Sequence, residues 1–207
     1  LEVLRELTSS YRTTVVLCTA TQPALSKTEI FREGLERVRE IVADPVKLYM
    51  ALKRVSTNEM GLVFDDQLVE RLKQYRQVLC IVNTRRHARV LYEGLQEKEA
   101  AYHLSGLMCP HHRTKNLNNI RQALRGGETC RVISTQLVEA GVDIDFPVVF
   151  RAAAGVDSLA QAAGRCNREG VLPDGGQVFF FTPEAGLPPG YLRQTAQTAE
   201  SVMRHHE

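Results

Sequence analysis

A chain of 207 residues with 43% hydrophobic and 24% charged residues, 14 glycines and 8 prolines is globular in composition. It is long enough for one well-packed domain, or a domain plus a fragment, and excludes collagen-like, low-complexity and wholly disordered sequence. The formal charge of +2 neither demands nor forbids a nucleic-acid partner, and the absence of Trp with only 6% aromatics weakens any reading built on base-stacking platforms. Five cysteines, at 18, 80, 109, 130 and 166, form no Cys-x-x-Cys pair, so neither a disulfide framework nor a zinc ribbon is indicated. Lacking an apolar run of ~18 residues, the sequence shows no membrane span, and a cytoplasmic protein with reduced thiols is expected.

In chain order, Leu1, Leu4 and Leu7 recur at helical spacing with no capping residue ahead of them, as a segment continuing from something longer would. Thr14-Val15-Val16-Leu17-Cys18 is a continuous apolar run of the kind buried in a parallel sheet, and predicts a strand. Residues 22–45 read as irregular with one weak helix, ending at Asp44-Pro45. Lys47 to Val55 is expected to be a strand, and Asp65 to Tyr75 a helix with Leu68, Val69, Leu72 and Tyr75 on one face.

A tighter alternation follows. Strands are predicted at Val78–Val82, Tyr102–Leu104, Arg131–Ser134, Val148–Arg151 and Val178–Phe181. Helices are predicted at Arg85–Gln96, Pro110–Leu124, Asp157–Arg168 and Tyr191–His205, with Gly126-Gly127 ending the second. Strands and helices in turn, on short connections, imply an α/β fold: an open, mostly parallel sheet flanked by helices, with ligands at the carboxyl ends of its strands. Asn83-Thr84-Arg85-Arg86, Ser105-Gly106 and Thr135-Gln136 should line that edge, although hydroxyls and arginines also suit a merely solvated edge.

Two segments carry chemistry. In Gln161-Ala162-Ala163-Gly164-Arg165-Cys166-Asn167-Arg168, positions 161, 165 and 168 of a continuous helix fall within about 60° of one another, a single polar stripe. Arginine suits charge developing on a transferring phosphoryl group, because its fork of donors meets phosphate oxygens without deprotonating. Gly164 inside a helix costs about 1 kcal/mol against alanine, which close approach of another surface would explain. The bland alternative is a solvated face with exposed ion pairs. In Ser134-Thr135-Gln136-Leu137-Val138-Glu139-Ala140-Gly141-Val142-Asp143-Ile144-Asp145, a hydroxyl pair ends the strand and is placed to cap one helical turn. Gly141 breaks that turn, and Asp143 and Asp145 follow on alternate positions, suited to a ribose, to a water, or to an ordinary solvated turn.

Together with Cys18-Thr19-Ala20-Thr21-Gln22-Pro23-Ala24-Leu25, these segments resemble superfamily 2 DExH helicases, over roughly residues 10–185. The fifth motif of that family matches Thr135 through Asp143 and the sixth matches Gln161 through Arg168. Val138-Glu139-Ala140-Gly141-Val142-Asp143-Ile144-Asp145 and Ser158 through Arg168 resemble the CRISPR-associated helicase-nucleases of type I interference. The resemblance implies residues 1–45 as the end of a first RecA-like lobe with its linker, 46–190 as the second lobe, and 191–207 as a helix leading to a further region. It implies that Arg165 and Arg168 act as arginine fingers, with Gln161 beside the nucleotide and Gly141, Asp143 and Gly164 around it. Thr84, Arg85, Ser105 and Thr135 would hold the backbone of one DNA strand, and Thr19, Ala20 and Thr21 would couple the lobes. ATP and Mg2+ are the implied cofactors. Single-stranded DNA, the first lobe, a nuclease domain and a CRISPR surveillance complex are the implied partners.

The sequence also departs from the complete pattern. It holds no Gly-x-x-x-x-Gly-Lys-Thr/Ser loop and no Asp-Glu pair of the Walker B kind, so this stretch alone is expected to hydrolyse no ATP and bind it weakly. His103, Cys109, His111 and His112 invite a zinc reading, but their spacing matches no common finger. Arg85-Arg86-His87-Arg89 reads as a solvated helix start or a DNA contact. The second lobe of another DExH helicase, and a non-catalytic RecA-like binding module, are the competing interpretations.

Overall fold

The computed structural model describes residues 1–18, 25–29, 31–36, 38–95, 100–139 and 141–204. The chain divides into two compact units, Leu1–Lys53 and Arg54–Glu207.

In the first unit, helix α1 spans Glu2–Ser9 and helix α2 spans Pro45–Ala51, with a parallel bridge between Ser26 and Leu35. The leucine spacing does give α1, and Leu1 provides no side-chain cap. Thr14–Cys18 is no strand: the segment has no ladder partners among the described residues, and Val16 keeps 66% of its surface exposed. An apolar run becomes a buried strand only where neighbouring strands offer it their edges. Nor do the described residues between Leu25 and Asp44 form a helix. Lys47 to Val55 is likewise not a strand, because Asp44 Oδ1 accepts the Lys47 N–H at 2.9 Å and Pro45 presets the first helical φ. Pro45 therefore starts a helix as well as ending the segment before it. Thr19, Ala20 and Thr21 lie outside the described residues.

The second unit is a six-stranded sheet, every pairing parallel, in the order β1-β6-β5-β2-β4-β3. Its strands are β1 (Val55–Val63), β2 (Gln77–Ile81), β3 (Ala101–Leu104), β4 (Cys130–Ser134), β5 (Val148–Ala152) and β6 (Gly176–Pro183). The helices are α3 (Asp65–Lys73), α4 (Arg85–Gly94), α5 (Pro110–Arg125), α6 (Val156–Ala163) and α7 (Tyr191–Arg204). No described helix is long and apolar enough to cross a membrane.

Both faces of the sheet are covered, which is why β2, β4 and β5 read as continuous apolar runs. On one face Leu68, Leu72 and Leu91 of α3 and α4 meet Val78, Cys80, Phe150 and Phe179. Phe150 and Phe179, register partners on β5 and β6, stack at 4.7 Å, and Tyr75 meets Phe150 edge-on. On the other face Ile120 of α5 and Ala162 of α6 pack on Leu79, Ile81, Val132, Val149 and Val178. Ala199 of α7 closes a smaller cluster with Leu159 of α6 and Ala154.

The local signals are ordinary ones. Asp65 and Asp66 in the first turn of α3, with Arg71 and Lys73 in its last, complement the helix dipole. Pro110 occupies the first turn of α5, and Gly127, at φ +65°, lets the chain leave it.

Candidate functional site

Strands β2, β4 and β3 are neighbours, so their carboxyl ends stand ~5 Å apart and the loops leaving them form one edge about 10 Å long. Thr84, Ser105 and Thr135 each lie on one of these loops. Thr84 caps α4, its Oγ1 accepting the His87 N–H at 3.2 Å. That bond leaves Arg85 in the first turn of α4 with its side chain exposed. Of the basic group that follows, His87 pairs with Asp65 at 2.8 Å and Arg89 with Glu93 at 2.7 Å, while Arg85 and Arg86 remain exposed. Ser105 and Thr135 are buried, with 6% and 8% exposure. The Thr135 N–H is tied to Leu104 O at 3.1 Å, which keeps two of the three loops in register. A single 3-10 turn at Gln136–Val138 follows Thr135, but the Thr135 side chain makes no capping hydrogen bond; the Ser134 hydroxyl donates instead to Thr135 O at 2.8 Å.

The continuous helix expected through Arg168 does not form. Helix α6 stops at Ala163, with Gly164 as its cap, and the chain turns back so that Cys166 bridges Phe146 and Asn167 adopts φ +45°. Gln161, Arg165 and Arg168 therefore share no helical stripe. Gly164 ends the helix instead of lying inside it, and a Cβ there would meet only carbonyl oxygens of its own helix, Gln161 O at 3.3 Å and Ala160 O at 3.5 Å. Close approach of another surface is thus not its reason in this lobe.

The turn is built around one buried polar side chain, Asn167. Asn167 Nδ2 donates to Arg54 O at 2.9 Å, its Oδ1 accepts from Leu172 N at 3.1 Å, and the Arg54 guanidinium donates to Arg168 O. Asp145 grips the turn from the other motif: Oδ1 accepts the Arg168 N–H at 2.7 Å and Oδ2 the Glu169 N–H at 3.1 Å. Asp145 is committed to backbone, whereas Asp143 is exposed and faces Arg168 Nη1 at 3.4 Å.

Arg165 joins the two motifs. Nε donates to Val138 O at 2.8 Å and Nη2 to Glu139 O at 2.7 Å, which leaves Nη1 without a protein partner among the described residues. Burial first, and then the neighbouring Arg168, hold its pKa below the usual guanidinium value. Gly141, at φ +69° with open space where a Cβ would sit, is needed for its backbone conformation. Gln161 is half-buried in the last turn of α6. Two arginines beside a polar loop, one with a free donor and one half-exposed, suit the phosphate oxygens of a nucleotide.

Sequence reasoning missed a buried charged group behind both sites. Arg151 at the end of β5 has no exposed surface. Its Nε lies 2.8 Å from Glu139 Oε1, and its Nη1 donates to Asn83 Oδ1 and to Ala152 O, each at 2.7 Å. Asn83 Nδ2 in turn donates to Ala153 O at 2.8 Å. Burial pushes the Glu139 carboxyl up, against the pull of Arg151 and of a hydrogen bond from Ser158, and pushes Arg151 down. The available signal was Val148-Val149-Phe150-Arg151: a charge closing a doubly buried strand requires a counter-ion.

The zinc candidates do not converge. His103 meets the Tyr92 ring at a tilt, with centroids 5.7 Å apart, Cys109, His111 and His112 are exposed, and among the described residues no three His, Cys, Asp or Glu side chains are grouped to hold a metal ion.

Residues 74–171, which contain both motifs and all three edge loops, match the family described as CRISPR-associated nuclease/helicase Cas3, C-terminal. A CRISPR-associated nuclease/helicase Cas3 of Haloferax volcanii is 50% identical over 68 residues, covering 32% of this chain and 7% of that protein. Its counterpart from Methanothermobacter thermautotrophicus is 27% identical over 112 residues, covering 54% and 13%. The chain thus spans a small part of these curated relatives. The crystal structure of T. fusca Cas3 is similar with a TM-score of 0.60 and 21% identity, over 74% of this chain and 22% of that one. T. fusca Cas3-ATP gives a TM-score of 0.57 at 21% identity, over 74% and 21%. A CRISPR RNA-guided surveillance complex, pre-nicking, gives 0.57 at 20%, over 74% and 23%. Identities this low establish a shared fold.

Proposed function

We propose, from the match of residues 74–171 to the Cas3 C-terminal family, that the chain belongs to the Cas3 nuclease/helicases and works as the second RecA-like lobe of an ATP-driven motor that moves along single-stranded DNA in CRISPR interference. The observation that carries this reading is the pair of hydrogen bonds from Arg165 to Val138 O and Glu139 O, which ties the turn after α6 to the segment that follows Thr135.

One set, Thr84, Arg85, Ser105 and Thr135, lies along the carboxyl edge. Hydroxyls, backbone amides and one free arginine there suit phosphates and sugars, which a translocase must grip whatever the sequence. The other set, Gly141, Asp143, Gln161, Gly164, Arg165 and Arg168, surrounds the turn after α6. ATP bound with Mg2+ supplies the phosphoryl group whose transfer drives the motor. Arg168 and the free Nη1 of Arg165 stabilise charge on its oxygens, and Asp143 holds Arg168 in position between turnovers. The sequence has no phosphate loop, so on this reading the facing first lobe grips most of the triphosphate and the metal, with Thr19, Ala20 and Thr21 coupling the two lobes. A nuclease domain and a surveillance complex are the partners this reading implies, and a relative solved with ATP and one solved within such a complex support it.

ATP hydrolysis by the complete protein, measured with and without single-stranded DNA, tests the reading. Stimulation by DNA of any sequence is expected; hydrolysis indifferent to DNA would refute it.

A further inference from the structure

Arg151 is a full charge on a central strand with none of its surface exposed, and neither it nor Glu139 belongs to the DNA or nucleotide sets. A sheet gains little stability from such a pair, since apolar side chains of similar volume serve as well or better. Its contacts instead lie on segments with different tasks.

Through Nη1, Arg151 holds Asn83, the residue immediately before Thr84 and Arg85. The Arg151 Nε forms a buried ion pair at 2.8 Å, outside hydrogen-bond alignment, with Oε1 of Glu139, which lies between Thr135 on the DNA side and Gly141 with Asp143 on the nucleotide side. The Glu139 carbonyl accepts from Arg165 Nη2 at 2.7 Å. Gln136 Nε2 reaches Asn83 O at 3.4 Å, closing the loop between the two strand ends. Arg165 meets this group at two adjacent carbonyls, Val138 O and Glu139 O, and Glu139 is the one of the two residues whose side chain pairs with Arg151.

Resting on the helicase reading above, we propose that Glu139 and Arg151 are a positioning couple that links the DNA-holding loops to Arg165, so that engagement of the strand and placement of the arginine change together. The couple touches neither DNA nor nucleotide. It acts through Asn83 on one side and Arg165 on the other, and its breakage uncouples hydrolysis from DNA.

The test uses the complete helicase with Glu139→Leu and Arg151→Met combined, and Arg151→Lys as a second variant that keeps the charge but loses the fork of donors. Tm, basal ATP hydrolysis, KM for ATP, single-stranded DNA affinity and the DNA-stimulated kcat are measured on each. The double variant is expected to keep wild-type Tm, basal rate, KM and DNA affinity while losing about 10-fold of its stimulation by DNA. Arg151→Lys is expected to lose part of the stimulation at near-wild-type Tm. Full stimulation in either variant, or equal loss of basal and stimulated rates, would show a purely structural pair and overturn the proposal. A wild-type enzyme without DNA-stimulated hydrolysis would instead overturn the helicase reading, and this inference with it.

Discussion

Replacing Asp145 with alanine removes the carboxylate that clamps the turn bearing Arg168. Two hydrogen bonds are lost, to Arg168 N at 2.7 Å and Glu169 N at 3.1 Å. A bond to a charged group contributes about 1.5–3 kcal/mol; a half-buried carboxylate belongs at the lower end, so the pair amounts to about 3 kcal/mol. In a domain of this size each kcal/mol moves Tm by ~2–4 °C, which gives a fall of about 6–12 °C. Asp145→Asn should recover only part of this, because its amide keeps one acceptor and turns a donor toward the other N–H. The damage should stay local, since Asn167 remains anchored on Arg54 O and Leu172 N. Thermal unfolding by circular dichroism, with hydrogen exchange of the Arg168 and Glu169 amides, measures both effects. If Asp145→Ala melted within about 1 °C of wild type with those amides still protected, the clamp would not be what holds the turn.

Arg85→Ala and Thr135→Ala should weaken binding to single-stranded DNA of every sequence, and the arginine change should lower the salt slope by about one unit. A fluorescence titration showing sequence-selective loss would point to base readout instead. Cys18 and Cys109 are exposed while Cys80, Cys130 and Cys166 are buried, so a thiol reagent should modify two of the five cysteines before unfolding and all five after. Burial raises the thiols of Cys130 and Cys166 from 9.0 to about 12. The folded protein therefore keeps protons that the unfolded chain releases between those values, and stability should fall as pH climbs through that window in an alkaline melting series.

Strands β2, β4 and β5 were legible because burial on both faces makes their sequences continuously apolar, and α3, α4 and α5 because their apolar positions recur with the helical period. The edge strand β1 was placed too early. Most of its residues are exposed, so no pattern marked it, while Asp44 and Pro45 wrote a helix start that the β-rich neighbours obscured. In the site, the three edge loops followed directly from the strand order. The turn after α6 did not: the break at Gly164 and Asn167 is held by Leu172 just beyond it and by Arg54 and Asp145, which are distant enough in sequence that helical spacing was the stronger local signal. Glu139 and Arg151 were hidden for the same reason, since only the fold brings a residue after β4 against the end of β5.

The most direct measurement of the central claim is kcat for DNA-stimulated ATP hydrolysis by the complete protein carrying Arg168→Ala, alongside its affinity for single-stranded DNA. An arginine that stabilises the transferring phosphoryl group predicts a loss of ~10³-fold or more in kcat with DNA affinity retained. A wild-type hydrolysis rate in that variant, or a loss confined to DNA affinity, would contradict the account.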